Sequence, residues 1–298
     1  MKKKVDFKID FIGIGAERSG TTWIYDCLNE HPEVCMASQK EIYYFNRLDR
    51  HFLKIENKRY KRGLGWYMSF FNHCGEKSIK GEFTPTYMFC PHSVARIKEH
   101  FPEVKLIAIL RNPVDRAFSQ YLSNKRSGLI PDVSFEKALK IMDSYVEKGY
   151  YYKHLIRYFK LFPRKRIRIF LTEDMADRPR WVVKSLYKFL GLKDINFVPH
   201  SIYRKSNVSM VSRWFALNSF LINIEIFLKR QKLDIILRFL EEVGIRKLAY
   251  DINHFVNVKP LEEYPKVRKT TRKRLTKVFK KDIQSLEKLI KRDLRAWY

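Results

Sequence analysis

The run VKLIAIL at Val104–Leu110, bracketed by Pro102 and Pro113, constrains the fold most. It is apolar but for one lysine and too short for an ordinary helix, which reads as a strand buried on both faces, the habit of a parallel sheet. Phe7–Ile14 has the same character and ends in glycines, and shorter strand patterns follow at Val34–Ala37, Ile79–Phe83 and Ile167–Thr172. Helical patterns lie between them, at Thr21–Asn29, Trp66–Phe71, Pro91–His100 (proline at the first turn), Val114–Lys125 and Tyr151–Phe162. Strands alternating with helices require right-handed crossovers. The expectation is therefore an α/β three-layer fold with a central parallel sheet flanked by helices and a helical C-terminal extension, made P-loop-like by the glycine turn at Gly15–Gly20 that follows the first strand. No repeat or Pro/Gly-rich linker divides the 298 residues, so residues 1–298 read as one domain, with about 208–260 a helical insertion or lid.

The turn after the first strand carries the strongest local signal. Gly15-Ala-Glu-Arg-Ser-Gly20-Thr21-Thr22 has the GxxxxG spacing of a phosphate loop between a strand and a helix. Backbone N–H groups there, with the helix N-terminus, favour an oxyanion. A nucleoside-triphosphate loop carries lysine where Thr21 stands, and its companion strand ends in an aspartate that helps hold magnesium. Here Val104–Leu110 ends in Arg111. Hydroxyls, amides and guanidinium groups without a metal carboxylate point to a nucleotide that is not a triphosphate. Arg111 offers planar, multi-donor phosphate recognition, and Ser119 lies two turns into the next helix. Both are expected at the carboxyl edge of the sheet.

These residues resemble the PAPS-dependent sulfotransferases, closest in pattern to the heparan sulfate and bacterial carbohydrate enzymes. Gly15–Trp23 is similar to the 5′-phosphosulfate loop, and Leu110–Ser119 to the 3′-phosphate motif. The resemblance implies transfer of a sulfuryl group from 3′-phosphoadenosine-5′-phosphosulfate (PAPS) to a hydroxyl or amine, leaving PAP, with no metal. It implies donor contacts from Arg18, Ser19, Gly20, Thr21, Thr22, Trp23, Arg111 and Ser119, and from a late basic loop holding Arg204 and Lys205. Arg18 would compensate the leaving oxygen. Lys40–Phe45 resembles the segment carrying the catalytic base, which makes Glu41 the base and Glu82 the second choice. Gly81–Tyr87, Gly149–Pro179 and Lys288–Trp297 extend the likeness. Phe83 departs from it, standing where several glycosaminoglycan sulfotransferases have lysine. A glycan or lipid-linked saccharide is the implied acceptor.

Charge and composition narrow the rest. Sixty Lys+Arg against 32 Asp+Glu give +28, which calls for an anionic partner. With 45% hydrophobic and 15% aromatic residues the chain is not intrinsically disordered. A P-loop kinase and a non-enzymatic polyanion- or membrane-binding protein are the competing readings; no specific nucleic acid is expected. Asp6, Lys8 and Asp10 break the apolar N-terminus, so no signal peptide is read, and no apolar run is long enough to span a membrane. Cys27, Cys35, Cys74 and Cys90 lack CxxC spacing, so they read as reduced thiols without a zinc site, in a cytoplasmic protein with peripheral membrane contact open. That contact would fall on Trp214–Leu240, which reads more simply as helices packed over the sheet or on a second subunit. Lys266–Lys281, nine basic residues in sixteen, reads as a solvated helix face. His31 is expected to be structural, and His73 and His92 are set aside as bases.

Overall fold

A computed structural model describes residues 7–48, 56–75, 78–204, 210–212, 215–230, 233, 258–260 and 265–298. The chain divides into two compact units, one of residues 1–116, 150–206 and 277–298, the other of 117–149 and 207–276.

The first unit is built on five parallel strands: β1 (Phe11–Gly15), β2 (Val34–Met36), β3 (Ile79–Phe83), β4 (Lys105–Leu110) and β5 (Ile167–Leu171), in the order β2-β3-β1-β4-β5. The parallel sheet read from the sequence is present, with strand ends shifted by a few residues at most. Alternation divides the apolar residues between two faces. Phe11, Ile107, Ile109 and Phe170 share a buried cluster with Trp23, Ile24 and Leu28 of α1 (Thr21–Asn29) and Val182, Leu186, Tyr187 and Leu190 of α9 (Pro179–Leu190). Ile12, Ile14, Leu106, Ala108 and Leu110, the alternate positions, are fully buried as well. Gly13 is forced by packing: a Cβ there would lie 1.9 Å from the Phe83 ring across the β1–β3 pair. The unit also holds α2 (Gly63–Ser69), α3 (Pro91–His100), α7 (Tyr151–Leu161) and α8 (Thr172–Asp177).

The order places the departure from the sheet. From β1 the chain crosses to β2 on one side, and β4 and β5 lie on the other, so the loops after β1 and β4 diverge at neighbouring strand ends. In open α/β sheets this switch point is where ligands bind.

In the second unit lie most of α4 (Pro113–Ser127), α5 (Phe135–Ile141), α6 (Ser144–Glu147), α10 (Phe215–Arg230) and the start of α11 (Lys269–Ile290). Phe118, Tyr121, Phe135 and Tyr145 form its aromatic centre, with centroids 5.1–6.3 Å apart. The almost wholly helical pattern expected after Val208 is interrupted by an antiparallel pair, β6 (Met210–Ser212) with β7 (Val258–Pro260). Three-residue strands carry too little alternation to be seen in a sequence. On α10, Phe220, Leu221, Ile224 and Phe227 are exposed, and most of the apolar segment after it lies outside the described residues. No helix among the described residues is long and apolar enough to cross a membrane.

The cysteine expectation is corrected. Cys27 and Cys90 are free and buried, but Cys35 and Cys74 form a disulfide across 39 residues. Pairing of β2 with β3 carries Cys35 up to the turn that closes Phe71–Cys74, so tertiary structure brings together what spacing kept apart.

Candidate active site

The turn after β1 is held from two sides. Arg111, next after β4, donates from Nη1 to the Arg18 carbonyl at 3.4 Å. Thr172 Oγ1, at the start of α8, lies 3.3 Å from the Ser19 carbonyl and 3.1 Å from the Leu110 carbonyl. Tyr151 donates to the Arg111 carbonyl at 3.0 Å, and burial pushes its phenol up to about 12. Asn112 Oδ1 accepts from Val114 N at 3.0 Å and caps α4, which fixes the backbone on the far side of Arg111. The strand-end guanidinium and the turn therefore share one rim. That is the juxtaposition a ligand with two separate anions requires.

Within the turn, Gly20 has φ 89° and precedes α1, a left-handed conformation that favours glycine. The first N–H groups of a helix have no partner inside it, and the macrodipole adds positive character there. Ser19 is fully buried and its Oγ has no hydrogen-bond partner of good geometry, the neighbouring Tyr151 hydroxyl being the nearest candidate. A buried orphan hydroxyl beside free helix amides is a fitting cradle for a phosphate or sulfate oxygen. Thr21 is buried and Thr22 half-buried. Trp23 is not part of this surface: its indole lies in the core and donates to the Ile202 carbonyl at 3.4 Å. Its backbone N–H is engaged as well, by the Gly20 carbonyl at 3.1 Å.

Sequence reasoning passed over Lys40 as a ligand group. Its Nζ donates to Thr22 Oγ1 at 2.6 Å and lies 5.3 Å from the centre of the Tyr25 ring. Desolvation lowers its pKa, opposed by Glu41 and Asp26. A lysine thus reaches the phosphate loop from another segment, where a nucleoside-triphosphate loop supplies its own at the position of Thr21. Asp26 is raised by desolvation, with Lys40 and then Arg204 pulling it down, so the exposed Arg204 is brought to this flank of α1. Lys205 lies outside the described residues. Ser119 is buried in α4, which passes into the second unit after Arg116.

Glu41 is half-buried and receives the Tyr43 hydroxyl on Oε2. Its backbone N–H bonds the Phe83 carbonyl at 3.0 Å, which pins the segment to the end of β3. Four non-glycine residues among those described have left-handed φ, and three of them are Arg18 (70°), Glu41 (62°) and Tyr43 (56°). Such conformations cost energy and gather where geometry serves a ligand. Glu82 has a different setting. It is fully buried and accepts from Thr84 Oγ1 (2.7 Å), Tyr67 (3.0 Å) and Tyr87 (3.0 Å). Desolvation raises it to about 7 against those hydrogen bonds. His31 is structural, as expected: Nδ1 accepts from Glu33 N and Nε2 lies 2.9 Å from the Asp194 carbonyl. His92 meets Arg47, and His73 meets the two disulfide sulfurs. A separate cavity of about 540 Å³ along β5, lined by Arg164, Arg168, Trp181 and Arg292 among others, shares no residue with the turn.

The model of the sulfotransferase domain matches residues 8–214, well over half the chain. The chain belongs to the sulfotransferase domain family. This sulfotransferase domain is 31% identical over 189 residues to human heparan sulfate glucosamine 3-O-sulfotransferase 6, covering 61% of the chain and 52% of that protein. It is 30% identical over 205 residues to mouse heparan sulfate glucosamine 3-O-sulfotransferase 3A1, covering 65% and 48%. The chain thus spans about half the length of the curated relatives it matches. Among solved structures, a sulfotransferase from Alicyclobacillus acidocaldarius superposes with a TM-score of 0.70 over 98% of this chain and 99% of that one, at 23% identity. The parallel sheet, the turn and the Arg111 strand end all fall within the matched region.

Proposed function

We propose that this sulfotransferase domain transfers a sulfuryl group from PAPS to a hydroxyl or amine of a carbohydrate. The Arg111–Arg18 contact carries the reading, because it sets a guanidinium beside a helix-capped anion turn. The 5′-phosphosulfate would be held by the turn Arg18–Thr22 with Lys40, and the 3′-phosphate by Arg111 at the end of β4. The donor supplies a sulfuryl group already activated by its mixed phosphate–sulfate anhydride link. The chain's part is to align it in line with the acceptor and offset charge on the departing oxygen, the work of Arg18 and Lys40. Glu41 takes the acceptor proton, oriented by the Tyr43 hydroxyl. The carbohydrate acceptor follows from the names of the relatives, which are heparan sulfate glucosamine 3-O-sulfotransferases.

Residence in the cytoplasm is part of the proposal, with Cys27 and Cys90 as the free thiols. The Cys35–Cys74 disulfide is the feature that argues against it.

Calorimetry with PAP and AMP tests the donor. PAP is expected to bind at least about tenfold more tightly, since only it offers an anion to Arg111. Equal affinities would remove the basis for a PAPS donor.

A further inference from the structure

We propose that Cys35, His73 and Cys74, with the cysteines as thiols, bind one zinc ion, and that metal binding and disulfide formation exclude each other. The proposal stands independently of the sulfuryl-transfer reading. The two Sγ atoms and a ring nitrogen of His73 lie within 4.8 Å of one another. His73 Nε2 is 3.4 Å from Cys35 Sγ and 3.9 Å from Cys74 Sγ. Tetrahedral zinc with the usual Zn–S and Zn–N bond lengths sets sulfur and nitrogen ligands about 3.5 Å apart and two sulfurs about 3.8 Å apart. The imidazole is thus already near its coordinating distance from both sulfurs, and only the sulfurs need to separate. Cys35 and Cys74 are half-buried and His73 is exposed, so a reductant and an ion both have access.

The surrounding backbone keeps the ligands together once the bond is open. Cys35 sits in β2, paired with β3 through Lys80, and Ser38 N bonds the Phe70 carbonyl at 2.9 Å. Cys74 N bonds the Phe71 carbonyl at 2.9 Å, closing the turn that presents His73. Two thiolates and an imidazole are a donor set suited to zinc, and a three-ligand site completes its tetrahedron with water. The conversion balances: an external dithiol supplies two electrons and two protons to open the disulfide and is itself oxidised to a disulfide. Zinc then displaces the two thiol protons and takes the lone pair of the neutral imidazole.

Cobalt is the spectroscopic stand-in. Protein reduced with a dithiol, then freed of it under anaerobic conditions, is titrated with Co²⁺. A thiolate-to-cobalt absorption saturating at about one ion per chain is expected. It should vanish in Cys35→Ser and in protein oxidised with diamide, and His73→Ala should weaken binding at least about tenfold. No such absorption in the reduced chain, or one unchanged by Cys35→Ser and His73→Ala, overturns the proposal. Should the serine variant precipitate, alkylation of the wild-type chain decides. Cys27 and Cys90 are buried, so the surface pair reacts first. Zinc slowing that reaction supports the site, and equal rates with and without zinc overturn it.

Discussion

Glu41 and Glu82 lie on adjoining segments tied together at the end of β3, yet they have opposite surroundings. Glu41 is half-buried, in a left-handed backbone conformation, with one phenol on its carboxylate and Lys40 beside it reaching the phosphate loop. Glu82 has no exposed surface and three hydroxyls aimed at it. Burial that raises Glu82 to about 7 also puts it where no acceptor can reach. A perturbed pKa therefore marks burial before it marks catalysis. The rim of the site is organised for ligand charge, and the interior behind it for holding β3 in place.

The sharpest way to break this contrast is Glu41→Gln. Loss of a general base costs about 10²–10⁴-fold in turnover, read with PAPS and an oligosaccharide acceptor, while PAP affinity stays unchanged. If Glu82→Gln gave the same loss with an unaltered melting temperature, the two roles would have to be exchanged.

The interior is next in size. A carboxyl raised to about 7 in the folded chain binds protons more tightly there than in the unfolded chain, where its ordinary value is 4.5. Protonated Glu82 is accommodated without a charge penalty below about 4.5, and stability is lost as pH rises from there through about 7. The full loss is on the order of 3 kcal/mol. Denaturant unfolding from acid to neutral pH checks it: the wild type should lose this increment relative to Glu82→Gln, and parallel curves would refute it.

On the rim, Arg111→Ala should weaken PAP binding by about 10–100-fold and leave AMP binding nearly unchanged, since a hydrogen bond to a charged group is worth about 1.5–3 kcal/mol. The smallest expected effect belongs to Lys40→Met, a loss of about tenfold in PAP affinity that weakens with salt. Equal losses for PAP and AMP would place Lys40 at the 5′ end, and a loss confined to PAP would move it to the 3′ end.

The sheet was legible because its strands are either continuous apolar runs or sit between turn residues; β3, α1 and α3 have the bounds read from the sequence. The strand-to-helix turn was legible because glycine and hydroxyl residues coincide within eight positions. Lys40 was not, because its contact with Thr22 spans 18 positions and depends on how the segment after β2 folds back. Thr172 and Tyr151 were passed over for the same reason: a hydroxyl declares no role until its carbonyl partner is near. The disulfide and His73 were hidden by a separation of 39 residues, since cysteine spacing informs only about local chelation.

One hydroxyl, that of Thr172, spans the carbonyls of Ser19 and Leu110, and the Arg111 guanidinium ties across to Arg18. With the loops after β1 and β4 stitched together in this way, neither can slide past the other to suit a longer or shorter guest. The proposed donor site then works as a fixed gauge: a nucleotide with its two anions a single bond closer together or further apart would satisfy one grip and miss the other.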